Sequence, residues 1–421
     1  MNMGIVGVAL ILLALLGAPL FVVIGLLALI AFYVAGVDTQ SVIIELYRLA
    51  ANPFMITIPL FTFVGYLMAE AGTAKRLTRF ARAAMGWLPG GLVLTVVIIC
   101  SFFTTFSGAS GVTIIALGTL LLPALLTEQY PAKFSLGLCT AAGSMGLLFP
   151  PSLPLLVYGM MANVEINQLF LAGLLPGVVT VLALAGYGLY VARKAGVKRA
   201  PVNPREFFSS LNEVKWELAV PVIILGGILG GFVTVGEAAA ITAAYVLIIE
   251  VFVYKDLHLF RDVPRVMQKS MMLVGAILTI LGCALGLTNY LVDAEVPMKI
   301  FAVAQQVFTS KWSFLLALNI FLILIGGFLD IFSAIIVVVP LITPVAAEVG
   351  IDPIHLAMIF IASLQVGYLM PPAGMDLCVA SLAFNKPMTT MYRLAIPFLI
   401  ILFVALLVIT YVPELSLFLV R

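Results

Sequence analysis

Apolar segments long enough to enter a lipid bilayer follow one another along almost the whole chain. They span residues 4–33, 54–70, 91–127, 133–161, 168–192, 218–254, 270–292, 313–347, 355–383 and 391–417. A helix crosses the hydrocarbon core in about 20 residues, so several segments are too long for one crossing. They also contain too little polar sequence for a loop in water. The pattern predicts an all-α polytopic membrane protein in which some segments fold back or break within the membrane.

The composition supports a membrane protein. Of the 421 residues, 63% are hydrophobic and 10% are charged, and the mean hydropathy is +1.23. Soluble domains are about 45–50% apolar and about 25% charged, so this chain has too few polar residues to cover a water-soluble globule. The net charge of +2 gives no reason to expect nucleic acid as a partner. The first apolar segment is longer than the core of a cleaved signal and has no basic residue before it, so we interpret it as a retained span.

Basic residues cluster in three polar segments. They lie at residues 75–82, 193–217 and 255–269. Lys and Arg are enriched in cytoplasmic loops, so all three segments are expected in the cytoplasm. The links at 162–167 and 348–354 contain acidic residues but no Lys or Arg, and are expected outside. These assignments agree only if residues 91–127 enter from the cytoplasm, turn and return as a re-entrant hairpin.

The chain contains an internal repeat. Pro371-Pro372 follows Pro150-Pro151 by 221 residues, and other glycines and prolines recur at the same spacing. Residues 91–177 and 312–398 are therefore one unit used twice. An odd number of predicted crossings between the copies makes the second copy inverted. Inverted repeats with paired interruptions are typical of secondary transporters, whose binding site lies near the middle of the membrane between the copies.

These features predict five regions, each with a distinct role. The regions are N-terminal scaffold spans with a basic amphipathic segment (1–90), the first repeat (91–192, with a hairpin at 91–127 and a broken span at 133–161), a cytoplasmic loop (193–217), scaffold spans (218–311), and the second repeat with the last span (312–421, with a hairpin at 313–347 and a broken span at 355–383). The amphipathic segment, which includes Arg76, is expected to lie on the inner leaflet.

Each copy has two places where a regular helix is expected to fail. These are the hairpin tips at 106–111 and 326–333 and the diproline segments at 146–152 and 367–374. Proline lacks an N–H and clashes with the preceding turn, so carbonyl groups before Pro150 and Pro371 lose their donors. Unpaired carbonyls persist at membrane depth only where protein, water or a cation satisfies them. Carbonyl oxygens at broken helices coordinate sodium in transporters, so a sodium ion is the predicted cofactor.

Side-chain oxygens are available near the breaks of both copies. They belong to Ser107, Ser110 and Ser152 in the first copy and to Asp330, Ser333 and Thr343 in the second. Asp330 is the foremost candidate, because a carboxylate at the centre of a membrane helix costs about 2.5–3.5 kcal/mol on insertion scales and is rarely present without a function. The alternative is a structural Asp near the end of a short helix.

Asp376 is a second acidic candidate, four residues after Pro372. It either faces the same cavity or has a structural role. The four breaks contain no Lys or Arg, so an anionic substrate would depend on helix N-termini, hydroxyl groups and the cation. Glu237 is interpreted as a first-turn acid that satisfies helix N–H groups. His258 and His355 are interpreted as surface residues at the membrane edges.

At these positions the chain resembles the large membrane subunit of a tripartite ATP-independent periplasmic (TRAP) transporter. The resemblance rests on Ser107-Gly108-Ala109-Ser110, Gly143-Ser144-Met145-Gly146-Leu147-Leu148-Phe149-Pro150-Pro151-Ser152, Gly236-Glu237-Ala238-Ala239-Ala240, Tyr254-Lys255-Asp256-Leu257 and Gly367-Tyr368-Leu369-Met370-Pro371-Pro372-Ala373-Gly374. The second diproline segment continues Met375-Asp376, where many relatives have Leu-Asn.

The resemblance implies a sodium-driven elevator in the bacterial inner membrane. A transport domain that carries both hairpins would slide against a scaffold. The partners would be a small four-helix membrane subunit and a periplasmic binding protein that delivers an organic acid. The implied sodium ligands are Ser107, Ser110, Phe149, Pro150, Ser152, Asp330, Ser333, Met370, Pro371 and Gly374, and the implied substrate contacts are Ser107, Gly108, Ser110, Ser152 and Asp376.

Two other functional classes are weighed against this hypothesis. The first is a self-sufficient ion-coupled anion exchanger or channel, which would need no delivery protein. Acids at matching positions of both copies would favour this class, but the counterpart of Asp330 is Ala109. An intramembrane enzyme has no convincing nucleophile and base. The substrate stays open among four-carbon dicarboxylates, sialic acid, other sugar acids and sulfonates.

Overall fold

Helices account for all regular secondary structure in the described residues of the computed structural model. Those residues are 12–13, 18–36, 38–40, 43–44, 47, 51, 53–88, 90–197, 203–299, 302 and 310–421. Within them, six helices are long and apolar enough to cross a membrane. The prediction of an all-α polytopic membrane protein is therefore confirmed.

Seventeen helices of this described part are used below. In chain order they are α1 (Leu20–Ala35), α2 (Thr57–Glu70), α3 (Thr73–Met85), α4 (Gly91–Ser107), α5 (Ser110–Thr127), α6 (Ala132–Ala141), α7 (Leu153–Ala162), α8 (Ile166–Ala195), α9 (Pro204–Leu229), α10 (Val235–Val253), α11 (Asp262–Asp293), α12 (Lys311–Gly326), α13 (Ile331–Glu348), α14 (Pro353–Gly367), α15 (Met375–Ala383), α16 (Met388–Tyr411) and α17 (Glu414–Leu417).

Both predicted hairpins are present as helix pairs. Hairpin 1 consists of α4 and α5, and hairpin 2 consists of α12 and α13. The tip of hairpin 1 requires a glycine, because Gly108 has a left-handed φ of 62° that other residues rarely adopt. A Cβ added to Gly108 would also lie 2.7 Å from the side chain of Leu153. The hairpin 1 tip therefore packs directly against the start of α7.

The helix is interrupted at both diproline positions, as predicted. Break 1, residues 145–152, separates α6 and a short 3-10 turn from α7, and break 2, residues 368–374, separates α14 from α15. Both proline–proline bonds are cis. Each half-helix after a break also packs against a hairpin of the other copy: α7 packs against α13 of hairpin 2, and α15 packs against α5 of hairpin 1. This packing interlocks the two copies.

The remaining helices form a second group around the repeats. The helices α1 and α2 pack against α11, while α2 also packs against α10 and α3 packs against α9. Residues 204–217, expected as part of a cytoplasmic loop, are instead the first turns of α9. The reason is a strong helix start, since Asn203 accepts a hydrogen bond from the Glu206 N–H and Pro204 occupies the first turn.

The basic face of α3 does not lie wholly on the membrane surface, contrary to the sequence prediction. Arg76 is 7% exposed and forms ion pairs with Glu217, with Glu250 at 2.9 Å and with Asp256 at 2.5 Å. Its guanidinium also stacks 3.6 Å from the centre of the Tyr254 ring. A buried Arg needs such partners because an unpaired buried charge is costly, and here they fix α3 to α9 and α10.

One histidine prediction is wrong and the Glu237 prediction is confirmed. His355 is buried, and its ring nitrogens lie 3.1 Å from the Ser416 hydroxyl and 3.1 Å from the Thr410 carbonyl. The start of α14 is covered by the ends of α16 and α17, which the apolar pattern did not reveal. Glu237 forms a capping box with Thr234 at the start of α10. His258 is exposed, as predicted.

Candidate ion and substrate site

Hydroxyl groups of hairpin 1 contact the backbone at the start of break 1. The Thr104 hydroxyl donates to the Gly143 carbonyl at 2.6 Å, and the Thr105 hydroxyl, which bonds to the Ser101 carbonyl of its own helix at 2.8 Å, lies 3.1 Å from the Gly146 carbonyl. Both side chains are buried. Gly146 itself lies so close to α4 that an added Cβ would be 2.7 Å from the Thr104 Cβ. Break 1 and the first arm of hairpin 1 therefore form one closely packed unit.

Four consecutive carbonyl groups of break 1 receive no hydrogen bond from the described part of the chain. They belong to Leu148, Phe149, Pro150 and Pro151. The preceding carbonyl differs, because Leu147 accepts from the Ser152 hydroxyl at 2.5 Å. Buried carbonyls are almost always paired, so this run of oxygens is available for a ligand. Phe149 and Pro150 are two of the predicted sodium ligands.

Break 2 leaves a corresponding set of carbonyls without donors from the residues that the structure describes. They belong to Tyr368, Leu369 and Pro371. The carbonyl of Met370 accepts from the Gly374 N–H at 3.0 Å, and that of Pro372 accepts from the Tyr392 hydroxyl at 2.6 Å. The carbonyl of Pro371, a predicted sodium ligand, thus has no donor in the described structure, whereas the carbonyl of Met370, also a predicted ligand, keeps only its second lone pair.

The hairpin 2 tip packs on break 2 through glycines. A Cβ on Gly367 would lie 2.6 Å from the Ile323 carbonyl oxygen and 2.9 Å from the Gly326 Cα. The buried Tyr368 side chain interacts with the backbone of Ile331, the first residue of α13. Each hairpin tip therefore contacts the break of its own copy, while the half-helix beyond the break joins the other copy.

Asp330 has a structural role of the kind that the sequence analysis left open as the alternative. It is the N-cap of α13, and its carboxylate accepts from the Phe332 N–H at 3.1 Å and the Ser333 N–H at 3.2 Å. The Ser333 hydroxyl also donates to this carboxylate. Asp330 is partly exposed, and Thr343 bonds to the Val339 carbonyl of its own helix at 2.8 Å. Asp330 and Ser333 are adjacent, and Thr343 is bonded elsewhere.

Asp376 lies in a different environment, completely buried in the first turn of α15. Neither carboxylate oxygen has a hydrogen-bond partner in the described chain. The hydroxyls of Ser110 and Ser144 interact with this carboxylate, yet neither reaches hydrogen-bond geometry, and both are themselves buried without partners. Three unsatisfied polar groups thus meet between hairpin 1, break 1 and α15.

The other predicted serines of the first copy have local partners. The Ser107 hydroxyl lies 3.3 Å from the Ala109 carbonyl and 3.4 Å from the Ala109 nitrogen, within the hairpin turn that contains Gly108. Ser144 was missed as a site residue. The only available signal was its position two residues before Gly146, because its contact with Asp376 joins positions far apart in sequence.

Sequence comparison decides the family. The family described as "Tripartite ATP-independent periplasmic transporter, DctM component" matches residues 7–415. The chain belongs to this family. The resemblance to the TRAP large membrane subunit is therefore confirmed, and the family is one of transporter permease subunits rather than enzymes.

Curated relatives of this large permease subunit share about a third of its residues. The "C4-dicarboxylate TRAP transporter large permease protein DctM" of Pseudomonas aeruginosa is 35% identical over 384 residues, 90% of this chain and 89% of the relative. The "Isethionate TRAP transporter permease protein DctMQ" of Oleidesulfovibrio alaskensis is 35% identical over 408 residues, 96% of this chain and 64% of the relative. The Alcanivorax borkumensis YdaH transporter has a similar fold, with a TM-score of 0.62, 15% identity and coverage of 88% and 87% of the two chains.

Proposed function

We propose that this DctM-family permease imports an anionic organic acid together with sodium ions across the bacterial inner membrane. A periplasmic binding protein delivers the acid, and a small four-helix membrane subunit completes the transporter. The observation that carries the proposal is the pair of breaks, each with at least three carbonyl oxygens that receive no donor from the described residues. Such oxygens at broken helices suit a cation.

The sodium ions would be held where each hairpin tip meets its break. At break 1 the carbonyls of Phe149 and Pro150 lie in the same segment as Ser152, and the Ser107 tip is adjacent. At break 2 the Pro371 carbonyl lies near the tip that carries Asp330 and Ser333. These groups are oxygen ligands, the type that hard cations prefer. No Lys or Arg lies in the breaks, so a bound cation would supply the positive charge that favours an anion.

The packing of the half-helices supports an elevator movement. Because α7 packs on α13 and α15 packs on α5, neither hairpin can move far unless the half-helix after the other copy's break moves with it. The two copies would therefore move as one body. The helices α2, α3, α9, α10 and α11 would form the scaffold, since the ion cluster around Arg76 connects α3, α9 and α10.

The substrate class follows from charge and from the relatives. The names of two relatives specify a C4-dicarboxylate and isethionate, which are both small organic anions. The N-termini of α7 and α15 lie at the breaks and supply free N–H groups and partial positive charge. Small organic anions are therefore the probes to use first.

Transport in proteoliposomes tests the proposal. The chain is reconstituted with its small subunit and binding protein, and uptake of labelled succinate, sialic acid and isethionate is measured with and without an inward sodium gradient. We expect accumulation of at least one acid that requires the gradient and the binding protein. Equal accumulation without sodium would contradict the coupling. Uptake by the chain alone would favour the self-sufficient exchanger or channel.

A further inference from the structure

The carboxylate of Asp376 is a buried acid without a counter-charge in the described structure. It is completely buried, and both oxygens lack hydrogen-bond partners. Its nearest interacting groups are the neutral hydroxyls of Ser110 and Ser144. A buried carboxylate is rarely tolerated unless it is paired or coordinates a metal ion. The described protein therefore provides no group that balances the charge of Asp376, and a bound cation would do so.

The two hydroxyls are placed to share that ligand. Ser110 and Ser144 are 2% and 0% exposed, and neither hydroxyl has a partner among the described residues. The surrounding elements pack closely: a Cβ on Gly143 would lie 2.4 Å from the Ile114 side chain and 3.3 Å from the Ser110 carbonyl oxygen, and a Cβ on Gly111 would lie 3.2 Å from Val379. Hairpin 1, the turn after α6 and the start of α15 thus bring one carboxylate and two hydroxyls together among apolar side chains.

The pseudo-equivalent positions show that this cluster is not a general feature of the fold. The counterparts of Ser110, Ser144 and Asp376 at the 221-residue spacing are Ile331, Gln365 and Leu155. Gln365 already donates to the sulfur of Met145 at 3.3 Å. The pseudo-equivalent place therefore has no carboxylate, and the cluster of one carboxylate and two hydroxyls occurs on one side of the repeat interface.

The charge of Asp376 decides which ligand fits. An anionic substrate would be repelled by a buried carboxylate at contact distance, so Asp376 is not suited to bind the acid directly. A cation would satisfy the carboxylate and both hydroxyls at once. We propose that Asp376, Ser110 and Ser144 form a monovalent-cation site between the copies, separate from the carbonyl sites of the two breaks. This inference rests on the proposed sodium coupling and adds one ion to it.

Equilibrium binding of radioactive sodium to the purified full chain in nanodiscs tests the site. We expect Asp376→Asn, which keeps the shape of the side chain, to bind one sodium ion fewer than the wild type. Ser144→Ala should weaken sodium binding, because it removes one oxygen ligand. Thermal melting in sodium-free buffer establishes that both variants are folded.

Two control variants carry the same chemical changes elsewhere. Glu237→Gln removes an acid from the first turn of α10, and Ser135→Ala removes a hydroxyl that bonds to the Pro131 carbonyl of its own helix at 3.2 Å. Both should bind sodium like the wild type. An unchanged ion count and affinity in Asp376→Asn would overturn the site while sodium coupling stands. A wild type that binds no sodium would overturn both proposals. One ion lost in Asp376→Asn, with uptake that needs no sodium gradient, would support the site and overturn the coupling.

Discussion

The two copies of the repeat reach the same backbone shape by different chemistry. In the first copy, the hydroxyls of Thr104 and Thr105 reach the carbonyls of Gly143 and Gly146 at the start of break 1. The matching positions in the second copy are Ile325 and Gly326, which have no hydroxyl. Both copies have close backbone packing, since an added Cβ would collide at Gly146 and at Gly367, but only the first copy adds these hydroxyl contacts.

The two hairpins also differ, in how their tips are stabilised. The two arms of hairpin 2 are separated by an apolar groove of about 500 Å³, lined by residues such as Leu318, Ile325 and Leu341. Its tip is stabilised by the Asp330 cap, whereas the tip of hairpin 1 uses the left-handed Gly108. Each break is therefore packed against the hairpin of its own copy, with hydroxyl donors contributing in the first copy and closely packed glycines in the second.

The largest effect is expected from the glycine that both copies share, Gly146 in the first and Gly367 in the second. An Ala Cβ would lie 2.7 Å from the Thr104 Cβ in one case and 2.6 Å from the Ile323 carbonyl oxygen in the other. Overpacking of this kind costs about 1–3 kcal/mol, and here the backbone must move. We expect both Ala variants to yield less monodisperse protein and to melt at a lower temperature.

Gly275→Ala provides the control for these variants. No atom lies within 4 Å of a Cβ at Gly275, and Ala is favoured over Gly in a helix by about 1 kcal/mol. This variant should melt at the wild-type temperature or above it. Wild-type melting of Gly367→Ala would show that the close glycine packing does not stabilise break 2.

A loss of stability of intermediate size is expected for a variant that alters only the first copy. Thr104→Val keeps the shape of the side chain but removes the hydroxyl that donates to the Gly143 carbonyl at 2.6 Å. Leaving a buried acceptor unsatisfied costs about 1–3 kcal/mol. We expect a lower melting temperature and weaker sodium binding, because break 1 loses its fixed position.

Thr119→Val is the matched control, since the Thr119 hydroxyl bonds to the Ile115 carbonyl of its own helix on an exposed face. A surface change of this type alters stability by at most about 0.5 kcal/mol. If Thr104→Val also behaves in this way, the hydroxyl contacts of the first copy are not what holds break 1, and the contrast between the copies is lost.

The smallest effect on stability is expected from changes to Asp330, the N-cap of α13 in the second copy. Asp330→Asn retains a good N-cap, whereas Asp330→Ala should lose about 0.5–2 kcal/mol of stability. Because Asn removes the charge, Asp330→Asn should weaken the sodium dependence of uptake without lowering the melting temperature. Uptake with wild-type sodium dependence in Asp330→Asn would assign Asp330 to capping alone and remove it from the sodium ligands.

Several features of the site were predictable from the sequence. The breaks at Pro150 and Pro371 and the turn at Gly108 follow from properties of single residues, namely a missing N–H, a ring that clashes with the previous turn and a missing Cβ. The 221-residue spacing of the two diproline pairs then revealed the repeat. The first-turn role of Glu237 was also predictable, because a capping box depends on residues only three positions apart.

The partners of buried polar groups were not predictable in the same way. Arg76 pairs with Glu217 and Glu250, and Asp376 meets Ser110 and Ser144. Each contact joins helices that are distant in the chain, and the apolar pattern specifies only that a helix is buried, not which neighbour covers it. The cap that Asp330 forms with Phe332 and Ser333 is local to its own helix, whereas only tertiary packing decided that Asp376 is left buried without a partner. Where a helix ends is a local property of its residues, whereas the partner that a buried charge meets depends on which helices come together.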